Sequence, residues 1–86
     1  MKMIVVSIKD RAADAFARPA FVPSVGVALR SFQDEINRAS EDNQMFQHSD
    51  DFDLYELGEF DDNSGLFDLF ESPKLLTLGK QVKTGS

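Results

Sequence analysis

The chain reads as an α+β domain, an antiparallel sheet of three or more strands with one amphipathic helix packed on one face. Three observations predict this. Residues 24–39 place apolar side chains at helical spacing. Residues 2–9 alternate and are rich in β-branched residues. Residues 50–70 hold two aromatic-rich runs around a turn sequence.

The first strand puts Ile4, Val6 and Ile8 on one face and Met3, Val5 and Ser7 on the other. Both faces are largely apolar, so the strand is expected to be central or covered by a second subunit. Residues 10–23 are ambiguous. Ala12, Ala13, Ala15 and Ala17 suit a helical turn, but Pro19 and Pro23 bound a short segment. Phe16 and Phe21 lie among Arg11, Arg18 and the prolines. In one reading they pin a loop to the core. In the other, arginine contacts phosphate while an exposed phenylalanine stacks on a base.

Ser24 is a good helix N-cap. Val25, Ala28, Leu29, Phe32, Ile36 and Ala39 then form the apolar stripe, which is expected to pack on the sheet. Arg30, Gln33, Asp34, Asn37 and Arg38 take the wet side, where Asp34 and Arg38 are spaced for an i,i+4 pair. Residues 40–49 are polar and predict a loop. The hairpin follows, with Asp62-Asn63-Ser64-Gly65 as its turn. Strict alternation puts Phe52, Leu54 and Phe60 on one face and Tyr55 and Leu57 on the other. Ser72-Pro73 is expected to end the second strand near residue 70, leaving residues 74–78 for an edge strand or a crossing segment. Residues 1–79 are read as one compact domain and residues 80–86 as a basic flexible tail, whose Gly85-Ser86 end is either native or a cloning remnant.

The chain of 86 residues has a formal charge of −6 and no cysteine. Disulfides and thiolate chemistry are thereby excluded. Charge is unevenly spread. Residues 1–40 hold six basic side chains against four acids, whereas residues 41–72 hold eleven acids and no lysine or arginine. His48 is the one histidine, and the acids near it lack a second nitrogen ligand, so no metal site is expected. The turn near Asp61 fails the calcium-loop register, because Phe60 stands where the first aspartate ligand belongs. There is no glycine-rich phosphate loop and no histidine–nucleophile pair. The expectation is a non-enzymatic protein without cofactors. The short apolar run after Lys2 is neither a signal peptide nor a membrane span, which predicts a cytoplasmic protein with no membrane partner.

Four segments, taken together, resemble a known family. They are residues 8–16 (Ile8-Lys9-Asp10-Arg11 onward), 21–32 (Phe21-Val22-Pro23-Ser24 onward), 48–61 (His48-Ser49-Asp50-Asp51-Phe52 onward) and Pro73-Lys74-Leu75-Leu76. In this order they look like the small nonstructural protein of gokushoviruses, single-stranded DNA phages of the family Microviridae. Members often carry His-Pro-Asp-Asp where this chain has His48-Ser49-Asp50-Asp51. The resemblance implies a DNA-binding protein that acts when single-stranded genomes are made and packaged, in the host bacterial cytoplasm. It brings no catalytic motif and assigns DNA binding to no named position.

Composition and resemblance leave two functions. The first is a factor binding single-stranded DNA, with Lys9, Arg11, Phe16, Arg18, Phe21 and Arg30 as candidate contacts. The second is an acidic adaptor that docks on host or phage replication proteins without touching DNA. A contiguous basic patch beside an exposed phenylalanine favours the first; basic residues scattered or paired off by acids favour the second. One helix covers one face only, so Met3, Val5, Tyr55 and Leu57 further predict a homodimer, using that face or a strand edge.

Overall fold

A computed structural model describes residues 1–84; Gly85 and Ser86, with the question of their origin, lie outside the described residues. It is an α+β fold whose curled antiparallel sheet has five strands. Strand β1 (Lys2–Asp10) is central and pairs with β4 (Phe52–Asp61), which pairs in turn with β5 (Leu66–Leu78). The other side of β1 carries two short strands, β2 (Ala15–Phe16) and β3 (Ala20–Val22). Both come from the segment whose sequence is ambiguous. Pro19 lies between them and breaks the run, so no helix forms there.

Helix α1 (Val25–Ile36) starts as its sequence predicts: the Ser24 hydroxyl accepts from the Val27 amide at 3.2 Å. It ends earlier than the stripe suggests. Asn37 caps it, donating its side-chain amide to the Gln33 carbonyl, and Ala39 is left exposed outside the helix. Ala28, Phe32 and Ile36 from the helix meet Val6 and Leu54 from the sheet to form the core. Phe32 is 3% exposed, as expected for the centre of the stripe. Arg38 pairs with Glu35 at 2.7 Å, not with Asp34, because the chain has left the helix and Arg38 no longer stands one turn beyond Asp34. That bond and the guanidinium charge hold the Glu35 carboxyl below its usual range.

The expected loop at 40–49 contains a helical turn, α2 (Gln44–Gln47). Asn43 is buried and organises it. Its side chain donates to the Glu35 and Arg38 carbonyls and accepts from the Met45 amide.

Two departures concern the hairpin. Val5 lies opposite Gly58 and Val6 opposite Glu56, so Leu57 is an extra residue in β4. This β-bulge shifts the alternation by one. Phe60, expected beside Leu54, therefore sits opposite Met3 and stacks on Phe21 and Phe67 at 5.5 and 4.8 Å, away from the core. Gly58 permits the bulge with φ +146°, and a Cβ there would collide with the backbone of Asp68 and Leu69. The second departure is that Pro73 does not end β5. The register passes from Leu69 opposite Gly58 to Lys74 opposite Glu56, and the strand continues to Leu78. Phe70, Glu71, Ser72 and Pro73 are left without partners in β4. Proline is tolerated there because an edge strand at a bulge needs no donor from it.

Residues 79–84 continue from β5 and contact the rest of the fold. A turn of helix, α3 (Gly79–Val82), wedges Gly79 against the Ser49 and Phe52 carbonyls, where no side chain fits. The Asn37 side chain donates to the Val82 carbonyl at 2.9 Å and accepts from the Thr84 amide at 2.7 Å. Lys83 donates to the Phe46 carbonyl at 3.0 Å and stands over the Phe46 ring at 3.5 Å.

Candidate functional site

With α1 on one face, the opposite face of the sheet has no helical layer. Its register places Met3, Val5, Ser7 and Lys9 of β1 beside Phe60, Gly58, Tyr55 and Asp53 of β4. Aromatic rings dominate it. At the β2 end Phe16 meets Tyr55 edge to face at 5.3 Å. At the hairpin end Phe21, Phe60 and Phe67 form a second group with centroids 4.8 to 6.2 Å apart. Phe16, Phe21 and Phe67 are 43%, 48% and 54% exposed. Neither Phe16 nor Phe21 enters the helix-side core; their rings rest on Tyr55 and Phe60 of β4 and keep a half-exposed side toward solvent. β2 and β3 are too short to bury a ring, and they hold both phenylalanines at the open edge of β1.

The cations are less concentrated than the aromatics. Lys9 lies over the Phe16 ring at 5.5 Å and also 3.4 Å from Asp14, which is almost wholly in solvent. Arg11 is held more firmly. Its Nε donates to Asp53 Oδ2 at 2.9 Å and its Nη2 to the Asp50 carbonyl. Asp53 is buried, and its Oδ1 has no hydrogen-bond partner. A buried carboxylate with one cation depends on that cation, so Arg11 first serves the fold. Lys9, the cross-strand partner of Asp53, completes a small cationic end beside Phe16.

Arg18 and Arg30 lie elsewhere. Arg18 stands with Glu35 beside a cavity of about 160 Å³ between α1 and the sheet, over Val6, Ala28, Phe32 and Leu54. Arg30 is on the outer side of α1, away from Phe32. Neither has an acidic partner among the described residues. The structure therefore gathers Lys9, Arg11, Phe16 and Phe21 on or beside one sheet face and leaves Arg18 and Arg30 on the helix side. Sequence reasoning missed Phe60 and Phe67 as members of the aromatic row, because the bulge at Leu57 reassigns Phe60. It also missed the Arg11–Asp53 pair, which joins residues far apart in sequence and has no local signature.

The hairpin's other face is acidic. Glu59 lies directly opposite Asp68, an unfavourable like-charge pair. At its end the N-terminal ammonium stands 2.7 Å from Asp62 and 3.9 Å from Asp61. The Asp61 carboxyl is held below its usual range by the Asn63 amide it accepts from, and further by that ammonium.

No cluster of acidic or histidine side chains able to hold a metal ion occurs among the described residues. No helix among them is long and apolar enough to cross a membrane.

Neither the curated proteins nor the solved structures contain a match to this chain. A family model described as phage ORF5 protein matches residues 3–82, almost the whole sequence, and the chain belongs to that phage family.

Proposed function

We propose that this phage protein is a non-enzymatic factor that binds single-stranded DNA on the face of its sheet opposite α1, in the cytoplasm of the infected bacterium. The observation that carries the reading is the row of five aromatic residues, Phe16, Tyr55, Phe21, Phe60 and Phe67, of which three are about half exposed. Bases stack on such rings irrespective of sequence, each contributing roughly 1–3 kcal/mol. Lys9 and Arg11 stand at the Phe16 end to meet phosphate, and Arg18, on the helix side of the same sheet edge, contributes only where the backbone turns round that edge. The resemblance to gokushovirus nonstructural proteins supports the same reading and suggests a role in genome synthesis or packaging. Repulsion from the acidic hairpin limits affinity and orients the strand toward the cationic end.

The adaptor function is the second reading. It is favoured by the pairing of Lys9 and Arg11 with acids and by the unbalanced acids Glu59 and Asp68. Its partner is a host or phage replication protein.

Anisotropy of a labelled oligothymidine at two salt concentrations separates them. The DNA reading expects log affinity to fall with log salt by roughly 0.7 per phosphate neutralised. Phe16→Ala and Phe21→Ala should each weaken binding, and Arg18→Ala should flatten the salt slope. Absence of binding by the parent at low salt eliminates the DNA reading and leaves the adaptor.

A further inference from the structure

Among the described residues nine large apolar side chains stand exposed, and five of them lie on β5: Leu66, Phe67, Leu69, Phe70 and Leu75. β5 is the outer strand of the sheet on that side. Its residues 70–73 find no register partner in β4, so an extended, exposed piece of chain there makes no ladder of its own. A free edge of this kind is a template for pairing with another chain.

We infer that β5 is the contact through which two copies of this chain form a two-fold dimer. The charges along the strand identify a second copy as the occupant. Asp68 and Glu71 lie on one side of Pro73, and Lys74 follows it. Antiparallel pairing about a two-fold axis near Ser72 and Pro73 sets Glu71 of each copy against Lys74 of its partner, twice over. It also brings Phe70 toward Leu75. An axis nearer the hairpin turn would instead oppose Asp68 to Asp68, which like-charge repulsion disfavours. Pro73 donates no hydrogen bond, so backbone pairing is short and the side chains carry most of the contact. A two-fold axis normal to the sheet keeps both aromatic faces on the same side, giving one strand of DNA two platforms. The dimer itself does not depend on the DNA reading, because it is measured without DNA.

Sedimentation equilibrium from micromolar to several hundred micromolar protein tests it. The parent should be dimeric. Lys74→Glu should raise the dimer dissociation constant at least about tenfold, and Glu71→Lys with Lys74→Glu should restore it. Lys74 also lies opposite Glu56 of β4, so circular dichroism must show both variants folded, and Lys74→Ala, which adds no acid beside Glu56, should weaken the dimer in the same direction. Phe16→Ala should leave the dimer intact. A parent that stays monomeric throughout, or a Lys74→Glu protein as dimeric as the parent, overturns the inference. Dimer loss on Phe16→Ala overturns it as well and moves the interface to the aromatic face.

Discussion

The two faces of this sheet are built from the same strands, yet they are covered by different means. On the helix side Val6 and Leu54 are buried under Ala28, Phe32 and Ile36. On the other side Phe16, Phe21 and Phe67 keep about half their surface in water. On the first side a helix covers these residues, with Ile4 and Ile8 partly buried around them. The second side has no helix: β2 and β3 extend the sheet beside β1, and Val5 and Ser7 are buried there, with Ser7 donating to the Ala17 carbonyl at 2.6 Å. An amphipathic pattern therefore reports which residues share a face, while the number of available layers decides which face is stabilised.

Truncation should separate the faces by the largest margin. Phe32→Ala removes a buried ring from the centre of the core and should cost about 3–5 kcal/mol. Phe67→Ala removes a half-exposed ring whose losses are its contacts with Phe60 and Phe21, and should cost about 1 kcal/mol. Urea denaturation of both proteins checks the difference. Equal costs would mean that a layer covers the second face in solution, and the dimer contact would then belong there.

The faces are distinguished along β4 by one residue. The bulge at Leu57 moves Phe60 out of the core, and Gly58 makes the bulge possible. Gly58→Ala strains a φ of +146° and drives a methyl group into Leu69 Cα, 2.7 Å away. We expect a loss of about 2–3 kcal/mol, the scale of a single strained backbone position plus a clash. The hairpin beyond residue 58 should lose amide-exchange protection before the core does. Uniform loss across the sheet would show that the bulge is not a local device.

Most of the fold was legible in the sequence because it rests on local rules. Ser24 as a cap, the Phe32 stripe, the β-branched run at 3–8 and the Asp62–Gly65 turn each carry their signal within a few residues. What was not legible depends on contacts between distant segments. Leu57 bulges because β1 and β4 must pair on both sides of Gly58. Asn43 and Gly79 are fixed by carbonyls from other elements. Of the candidate site, both phenylalanines fell on the open face, while the arginines divided between faces. A net charge count cannot reveal that Arg11 is already committed to Asp53.

Asp53 is a buried acid on the face opposite α1, and among the described residues Arg11 is its hydrogen-bonded side-chain partner. Arg11→Ala leaves a carboxylate buried without its cation. Breaking a buried pair costs several kcal/mol, and because this guanidinium is half exposed we expect about 2 kcal/mol. Adding Asp53→Asn to Arg11→Ala should recover a large part of the loss. DNA titrations of Arg11→Ala alone thus conflate folding with phosphate contact, and the double variant is the proper comparison. No stability loss in the single variant would free Arg11 for a phosphate role only.

The smallest effect belongs to the hairpin end, where both faces give way to solvent. Asp61 accepts from the Asn63 amide and stands near the N-terminal ammonium, and its carboxyl is held below the ordinary range. A folded-state pKa lowered in this way adds stability at pH values above the unfolded-state value of about 4. That stability is lost as pH falls through the lower folded-state value, because protonation then occurs in both states. The parent should therefore be slightly more stable than Asp61→Ala at neutral pH, and the charge-dependent part of the gap should close in strong acid. Whatever difference persists there reflects the turn hydrogen bond, which a protonated carboxyl still accepts. Urea midpoints at neutral pH and below about pH 3 resolve the two parts. A gap that widens on acidification would assign the lowered pKa to something other than these contacts. The acidic hairpin would then hold no internal charge compensation at its end.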